Sequence, residues 1–515
     1  MDTAEGALSK SPENHDTPAV TAESATATPP LVRKPWQTSI APTFISLFLW
    51  MVYFDQLGRR ALPLGGLIWC VIGAAAGGLL CYLLLYYGPA MWGQRTGFAT
   101  EVLGTDTFGE RGAPWFTHLL VGIVQVVWMA VSAHYATSWS LQGLVSIGLL
   151  PAHALQPVVL DSMKLPSILF LITSLTWLYA AALVGRYLLR VILALMNVYP
   201  VFPALSLGLA TLVTLKGAMG TPIGEGIQPV LAPLNPQGRL EAFTLVIQWI
   251  FGFFACSATA AADWGATSRS PKDVRIGGLV GVFMASWIVA TLGLLVTSGG
   301  AARAGGVLPQ GVGGQPSIEA TFQNALLLGG FPPWLAGAVF LLFGLSALAP
   351  ACYGAFILGS RFNAVWPSWP RLRFILLATP VAWLISITRF PTRLEEIFTV
   401  MGALFGPMLG VLAAGYLRSR GVWPGARRGV NPAGVLAWAL GLFVGLVPLV
   451  GKALDNASLA KIQPAAVLGF VVAYAFYYIL ATFGLEAPPA EVKVETTIPA
   501  AKDAVVATTP DEQAD

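Results

Sequence analysis

The sequence predicts an all-α integral membrane protein with about twelve membrane-spanning helices. Three observations support this fold class. Of the 515 residues, 56% are hydrophobic and only 10% are charged, whereas soluble domains carry about 25% charged residues. The mean hydropathy is +0.69. The chain also contains 55 Gly and 17 Trp, and Gly is frequent inside membrane helices while Trp collects at their interfaces.

Apolar stretches of about 20 residues, the length that crosses a bilayer, divide the chain. We expect spans at 39–58, 63–87, 115–140, 166–186, 189–214, 245–265, 275–297, 334–357, 372–388, 394–417, 432–452 and 462–484. A short helix outside the membrane is expected at 317–330. The polar segments 1–38 and 485–515 predict disordered tails, because they hold too few apolar residues to build a core.

The distribution of positive charge predicts the orientation. With the N-terminus in the cytoplasm, sixteen Lys and Arg residues fall in cytoplasmic loops and ten in outer loops; the other three of the 29 lie in the tails. The run RSPKDVR (269–275) agrees with this bias. We therefore expect a protein of the inner or plasma membrane with both termini in the cytoplasm.

Motifs of several other protein classes are missing from the sequence. The four Cys fall in apolar stretches without a CxxC pair, and the four His lack the spacing of metal ligands. A phosphate-binding loop, typical of ATP-driven pumps, is not found. The net charge of +4 is too small to indicate a nucleic-acid partner. We expect no catalytic residues, no cofactor and no resident metal.

Polar residues inside apolar spans are the functional candidates, because a charge in the membrane is costly. In the first span, Asp55 either pairs with Arg59 one helical turn later or faces a cavity together with Gln56. In the third span, Gln125, Trp128, Ser132 and Tyr135 share one face, which suits either helix packing or a stacking platform for a flat ligand.

The sixth and eighth spans contain residues that disturb a helix. The sixth has a run of small residues after two Phe, typical either of close packing or of a discontinuous helix at a binding site. In the eighth, Pro350 removes a backbone donor and frees a carbonyl one turn back. That carbonyl suits a small cation, although a simple kink explains the proline as well.

Several segments together resemble the nucleobase:cation symporter family, which includes cytosine, purine and hydantoin permeases. IAPTFISLFLW (40–50) is similar to the family's leader and first-helix Trp, and WGQRTGFATEVLGTDTFGERGA (92–113) to its loop after the second helix. Trp128 is placed like the family's third-helix aromatic. SATAAADWGATSRSPKD (257–273) and FGPMLGVLAAGYLRSRG (405–421) resemble its sixth and tenth helices.

The resemblance implies a LeuT-like architecture of five helices and five inverted helices (39–214 and 245–417), followed by two C-terminal helices (432–484). It also implies breaks in the first and sixth helices, near Asp55 and Ser257, around a site at mid-membrane. One complete chain would then suffice as a functional monomer in the lipid bilayer.

The resemblance also implies the site residues. The substrate positions fall on Gln56, on Trp128 and Phe254 as rings on two faces of the substrate, and on Ser132 and Cys352, where the family has amides. The cation positions fall on the carbonyls of Val52 and Asp55 and on Ser346. Departures from the family are the loss of those amides and of a second cation-binding hydroxyl at Ala347. A one-residue shift in the eighth helix would place Tyr353 at the position of Cys352.

The function implied is cation-coupled import of a small planar nitrogenous solute such as a nucleobase. A site without the amides would read the hydrogen-bonding edge of cytosine poorly, so a less polar solute is also compatible. Coupling to Na+ or to H+ stays open, because a desolvated Asp55 could bind either. The alternatives are a non-transporting sensor on the same fold and an amine or amino-acid permease.

Overall fold

The computed structural model describes residues 33–39, 47–160, 163–187, 201–218, 236–303 and 332–490, with the backbone alone described for 47–56. Nearly all of them are helical. The α-helices are α1 (Trp36–Ser39), α2 (Leu47–Leu80), α3 (Tyr87–Thr96), α4 (Thr100–Phe108), α5 (Val121–Ser146), α6 (Ile168–Tyr187), α7 (Val201–Ala218), α8 (Pro236–Ala258), α9 (Ala261–Thr267), α10 (Pro271–Gly278), α11 (Ala285–Arg303), α12 (Pro333–Ser346), α13 (Leu348–Val365), α14 (Arg371–Ser386), α15 (Leu394–Arg418), α16 (Pro432–Ala453), α17 (Ala457–Ala460) and α18 (Ala465–Thr482). Three π-helical turns, Cys81–Tyr86, Pro114–Leu120 and Leu279–Met284, join neighbouring helices.

Nine helical stretches of the described chain are long and apolar enough to cross a membrane, which supports a multi-pass membrane protein. Three further predicted spans fall short of that test for identifiable reasons. Part of the first, at 40–46, and part of the fifth, at 189–200, lie outside the described residues. The ninth corresponds to α14, which has only 16 residues. The expected helix at 317–330 also lies outside the described residues. The total of twelve spans therefore stays a prediction.

The turn between the first two spans differs from the prediction. We expected it at 59–62, where two arginines follow the apolar stretch, but the helix continues through them. Gly66, with φ 72° and ψ 173°, is the residue inside α2 with a non-helical backbone. Only glycine reaches this conformation without strain. The expected break near Asp55 is therefore wrong, because the backbone of α2 is helical at that residue.

A β-hairpin interrupts the otherwise helical chain between the third and fourth spans. Its strands are β1 (Val158–Leu160) and β2 (Met163–Leu165), which pair antiparallel with Val158 opposite Leu165. β-Branched Val158 and Val159 favour extended backbone. The all-α prediction holds for the spans and misses this short connection.

Two groups of helices combine both halves of the chain. In one group, α2 packs against α8 and α11, and α7 packs against α11. In the other group, α5 and α6 pack against α13 and α14. Each group therefore takes helices from before and after residue 236. Two intertwined repeats require that each group contains helices from both halves of the chain. The inverted repeat itself stays a prediction.

Segments that we predicted to share the cytoplasmic side lie together at one end of the helices. Lys34 pairs with Ser268 in a parallel bridge, and Arg427 contacts Asp106 at 3.2 Å. Burial raises the pKa of Asp106 to about 6, although Arg427 opposes that shift. At the other end, Lys452 contacts Glu395 at 2.7 Å. The predicted topology is therefore consistent with the structure; which end faces the cytoplasm stays a prediction.

The inner ends of both predicted tails make contacts with the rest of the protein. In the C-terminal segment, Glu486 accepts hydrogen bonds from Arg418 and Tyr477 at 2.9 and 3.1 Å, and Ala490 bonds backbone to backbone with Ala426. In the N-terminal segment, the Trp36 backbone N–H donates to Asp273. Disorder was therefore the wrong prediction for 485–490 and 33–38, because composition does not reveal contacts with distant loops.

Candidate functional site

The sixth span is interrupted between α8 and α9. Residues Thr259 and Ala260 separate the two helices, and their backbone N–H groups donate to Cys256 and Ser257 in tight turns at 3.3 and 3.2 Å. The break lies two residues after the predicted position, Ser257. Non-helical backbone at membrane depth is tolerated only where it lines a cavity or is buried in protein.

A residue from another segment forms a hydrogen bond with the backbone at this interruption. The Thr100 hydroxyl, at the start of α4, has two acceptors at 2.8 Å for its O–H, the Thr259 carbonyl oxygen and Asp263 Oδ2. Both Thr100 and Thr259 are buried. The orphan carbonyl of the broken helix and the carboxylate share this O–H, and the Thr100 backbone N–H also donates to Asp263 Oδ2 at 3.5 Å. The next residue, Glu101, forms an ion pair with Arg361 on α13.

Two Trp-Gly pairs bring α3 and α9 into close contact. A Cβ atom on Gly93 would lie 2.0 Å from the Ala262 carbonyl oxygen, and one on Gly265 would lie 1.8 Å from that of Ala90. Only glycine permits such a close approach of two backbones. The second half of the sixth span is thus fixed against the end of the second.

The eighth span is interrupted as well, between α12 and α13. Ala347 separates them, and its N–H donates to the carbonyls of Gly344 and Leu345. Pro350 follows three residues later and cannot donate to the Ser346 carbonyl. The helix is thus interrupted at a single residue, immediately after Ser346, where the backbone stays in the right-handed helical region (φ −71°, ψ −14°).

A cavity of about 80 Å³ lies between these two interrupted helices and α5. Its lining combines apolar side chains with neutral hydrogen-bonding groups and one arginine. The lining residues are Val121, Gln125, Trp128, Ser132, Cys256, Ser257, Thr259, Ala260, Trp264, Pro350, Tyr353, Ile357 and Arg361. A few polar groups converging in a mostly apolar pocket between helices are typical of a small-molecule site.

The predicted stacking ring, Trp128, lines this cavity together with Ser132. Its indole Nε1 donates to Cys256 Sγ at 3.1 Å. Phe253 contacts the ring edge to face, with centroids 5.6 Å apart. These two contacts hold the indole against the last turn of α8, immediately before the interruption.

Two other predicted substrate residues do not line the cavity. Phe254 is buried in the hydrophobic core, and Phe253 is the ring that contacts Trp128. Cys352 packs with Ala181 in a separate buried cluster, whereas Tyr353 lines the cavity. Neighbouring helical residues point about 100° apart, so in α13 a shift of one residue exchanges a core position for a cavity position.

The remaining predicted positions lie in α2 and α12. The side chains of Val52, Asp55 and Gln56 fall outside the described part of the structure, so their placement in a site stays a prediction. Ser346 is buried in the last turn of α12, and its hydroxyl donates to the Phe343 carbonyl at 2.8 Å. Within the described residues, no group of three His, Cys, Asp or Glu could hold a metal ion.

Tyr353, Gln125 and Arg361 are among the polar cavity residues that were absent from the predicted site. Tyr353 appeared only as a register alternative, Gln125 only as part of a stripe, and Arg361 only as a loop charge. The signal was present in the spacing: Pro350, Tyr353, Ile357 and Arg361 repeat at intervals of three and four, which places them on one helical face. Arg361 belongs to this face because α13 extends to Val365.

Solved structures with the same architecture are transporters. No family model matches the sequence, and no curated protein matches it. The alignment with a structure of Mhp1 in an inward-facing conformation covers 95% of this chain and 97% of the Mhp1 chain, with a TM-score of 0.63 and 13% sequence identity. The chain has the Mhp1 fold. This result agrees with the resemblance seen in the sequence motifs, at the level of the fold.

Two further structures extend the comparison. The first is Mhp1, a nucleobase-cation-symport-1 family transporter, in a closed conformation with bromovinylhydantoin bound. The alignment covers 89% of this chain and 97% of the Mhp1 chain, with a TM-score of 0.56 and 15% sequence identity. A Na+-coupled sialic acid symporter in a substrate-bound outward-open state covers 89% and 92%, with TM-score 0.54 and 12% identity. One fold therefore accommodates two different kinds of bound molecule.

Proposed function

We propose that this chain is a cation-coupled secondary transporter that imports a small planar nitrogenous solute by alternating access. The observation that carries the proposal is the cavity enclosed by two interrupted helices and α5. Interrupted helices are the usual frame of a transporter site, since their exposed backbone can bind a solute or an ion. The fold shared with symporters of hydantoin-type and sialic acid ligands supports the same conclusion.

The aromatic lining supports a planar solute. Trp128 and Trp264 both line the cavity, and indole rings offer a flat surface on which a heterocycle can stack. Gln125, Ser132 and Tyr353 add neutral donors and acceptors that suit ring nitrogens and carbonyl groups. A nucleobase-like compound fits this combination of surfaces.

We place the coupling-cation site where the eighth span is interrupted, at Ser346, with Val52 and Asp55 of α2 as its other members. Oxygen ligands from carbonyl, hydroxyl and carboxylate groups suit a small hard cation, and a carboxylate alone can carry a proton. Na+ or H+ would thus serve as the coupling ion. We further propose that the protein acts as a monomer in the inner or plasma membrane, with both termini in the cytoplasm.

Transport by the purified chain in proteoliposomes tests the proposal. Counterflow of a radiolabelled nucleobase or hydantoin into vesicles preloaded with the unlabelled compound should appear without an imposed ion gradient. Net uptake should rise with either an inward Na+ gradient or an inward proton gradient, imposed separately. Asp55→Asn should retain counterflow and lose the gradient-driven uptake. Binding without counterflow across the whole panel would instead identify a sensor.

A further inference from the structure

We propose that the transported solute carries a carboxylate group, which binds to Arg361 and Gln125 in the cavity lining. This inference rests on the proposed transport function and names the chemical class of its substrate. It follows from the charges in the cavity lining, which neither the sequence motifs nor the shared fold reveal.

Arg361 is the first observation. It is the one charged residue among the described residues that line the cavity, and its side chain is only 13% exposed. Burying a cation is costly unless it is paired with an anion. The planar guanidinium matches a carboxylate with two parallel hydrogen bonds.

Gln125 is the second, independent observation. Its side chain is only 9% exposed and lines the same cavity, yet no hydrogen bond to it occurs within the described residues. Buried amides are nearly always hydrogen-bonded. A ligand in the cavity would supply the missing partner, and the amide N–H can donate to a carboxylate oxygen.

The nearby carboxylates determine how such a ligand would bind. Glu101 forms an ion pair with Arg361, so the arginine is neutralised in this conformation. Asp263 accepts from Thr100 at 2.8 Å and is absent from the cavity lining. A guanidinium has five N–H donors, so a solute carboxylate can share or displace Glu101.

The same charges disfavour the alternative substrate class, a cationic amine. An ammonium group would find Glu101 already paired with Arg361, and the guanidinium offers donors but no acceptor to a cation. An anion, by contrast, would enter together with the coupling cation, so that the loaded site gains no net charge. This balance lowers the cost of moving the solute through the membrane.

Binding to the purified full-length protein tests the proposal with matched probes. Orotate against uracil, and nicotinate against nicotinamide, differ mainly by a carboxylate. We expect the acid of at least one pair to bind at least tenfold more tightly than its neutral partner. Arg361→Gln should remove that preference and leave the affinity for the neutral partner within twofold. Arg373→Gln, a change at an exposed arginine of α14, should leave both affinities unchanged.

Glu101→Gln supplies a test of opposite sign. Because it removes the competing carboxylate, it should tighten binding of the acids by about threefold to tenfold. A purely structural role of the Glu101–Arg361 pair predicts weaker binding instead. This variant keeps the proposal falsifiable if Arg361→Gln fails to fold.

Three results would overturn the proposal: equal or weaker binding of the acids by the unmodified protein, a preference for acids that survives Arg361→Gln, or weaker binding of acids to Glu101→Gln. Counterflow of neutral compounds separates the two levels of the account. If neutral compounds exchange and acids do not, the substrate class is wrong and transport stands. If no compound of either kind binds or exchanges, the proposed function fails as well.

Discussion

The two interrupted spans on either side of the cavity are broken by different means. In the eighth span, Pro350 lies within the same helix and Ala347 closes the turn with bonds to its own segment. In the sixth span, residues 256–262 contain neither Pro nor Gly. There the open carbonyl of Thr259 is satisfied by Thr100, which comes from another part of the chain.

The difference shows that one break is local and the other is tertiary. A local break survives as long as its proline is present. A tertiary break depends on the loop that carries Thr100 and on the glycines that hold α9 against α3. The sixth span should therefore respond to mutations far from it in sequence, and the eighth should not.

The largest expected effect is that of Gly265→Ala. A methyl group placed 1.8 Å from the Ala90 carbonyl oxygen must force α9 away from α3, which should cost about 3 kcal/mol of stability. Thermal unfolding of the purified protein measures this loss. Gly208→Ala is the matched control, since a Cβ there meets no atom of the described residues within 4 Å. Equal stability of both variants would show that the contact does not fix α9.

Thr100→Val should have the next largest effect. It keeps the shape of the side chain but removes the O–H that the buried Thr259 carbonyl and the Asp263 carboxylate share, at a cost of about 2 kcal/mol. Thermal unfolding should show the loss, and solute binding should weaken with it. Thr100→Ser, which retains the hydroxyl, should restore both. If Val is tolerated as well as Ser, the interruption does not depend on this loop.

Trp128→Ala should act on binding more than on folding. The indole contacts the last turn before the sixth-span interruption and lines the cavity, and loss of a stacking ring costs about 1–2 kcal/mol of binding free energy. Titration of the bound solute measures the change. Trp128→Phe should recover part of the affinity. An unchanged affinity in the Ala variant would mean that the ring only packs.

Pro350→Ala should give the smallest change in stability, and in the opposite direction. The new N–H can bond to the Ser346 carbonyl and should stabilise a straight eighth span by about 1 kcal/mol. Because the transport cycle then has to break that bond, counterflow should slow by about fivefold. Counterflow and thermal unfolding measured together separate the two effects. A less stable protein with unchanged transport would contradict a local, proline-driven break.

Much of the helical framework could be predicted from the sequence. The predicted spans 394–417 and 432–452 agree with α15 and α16 within one residue at each end, because prolines and charges bound long apolar runs there. The turn between the first two spans was predicted at 59–62, because two arginines in an apolar stretch are typical of a loop. The structure has it at Gly66, where it depends on a backbone conformation that glycine adopts. Contacts of the terminal segments were missed because they depend on distant loops.

The candidate site was predictable where it depends on one helix. Trp128 and Ser132 share a face of α5, and both line the cavity. Tyr353 and Arg361 were missed because their role depends on the register and the length of α13. Thr100 was missed because only tertiary structure brings it to Thr259.

Blocking the cavity tests the central claim most directly. Ser257 lines it, and a Trp side chain at this position would fill most of its 80 Å³. Ser257→Trp should abolish solute counterflow in proteoliposomes while the protein still folds. Leu345→Trp, at a position 61% exposed on α12, should leave counterflow unchanged. Counterflow that persists in a folded Ser257→Trp protein would contradict the assignment of this cavity as the solute-binding site.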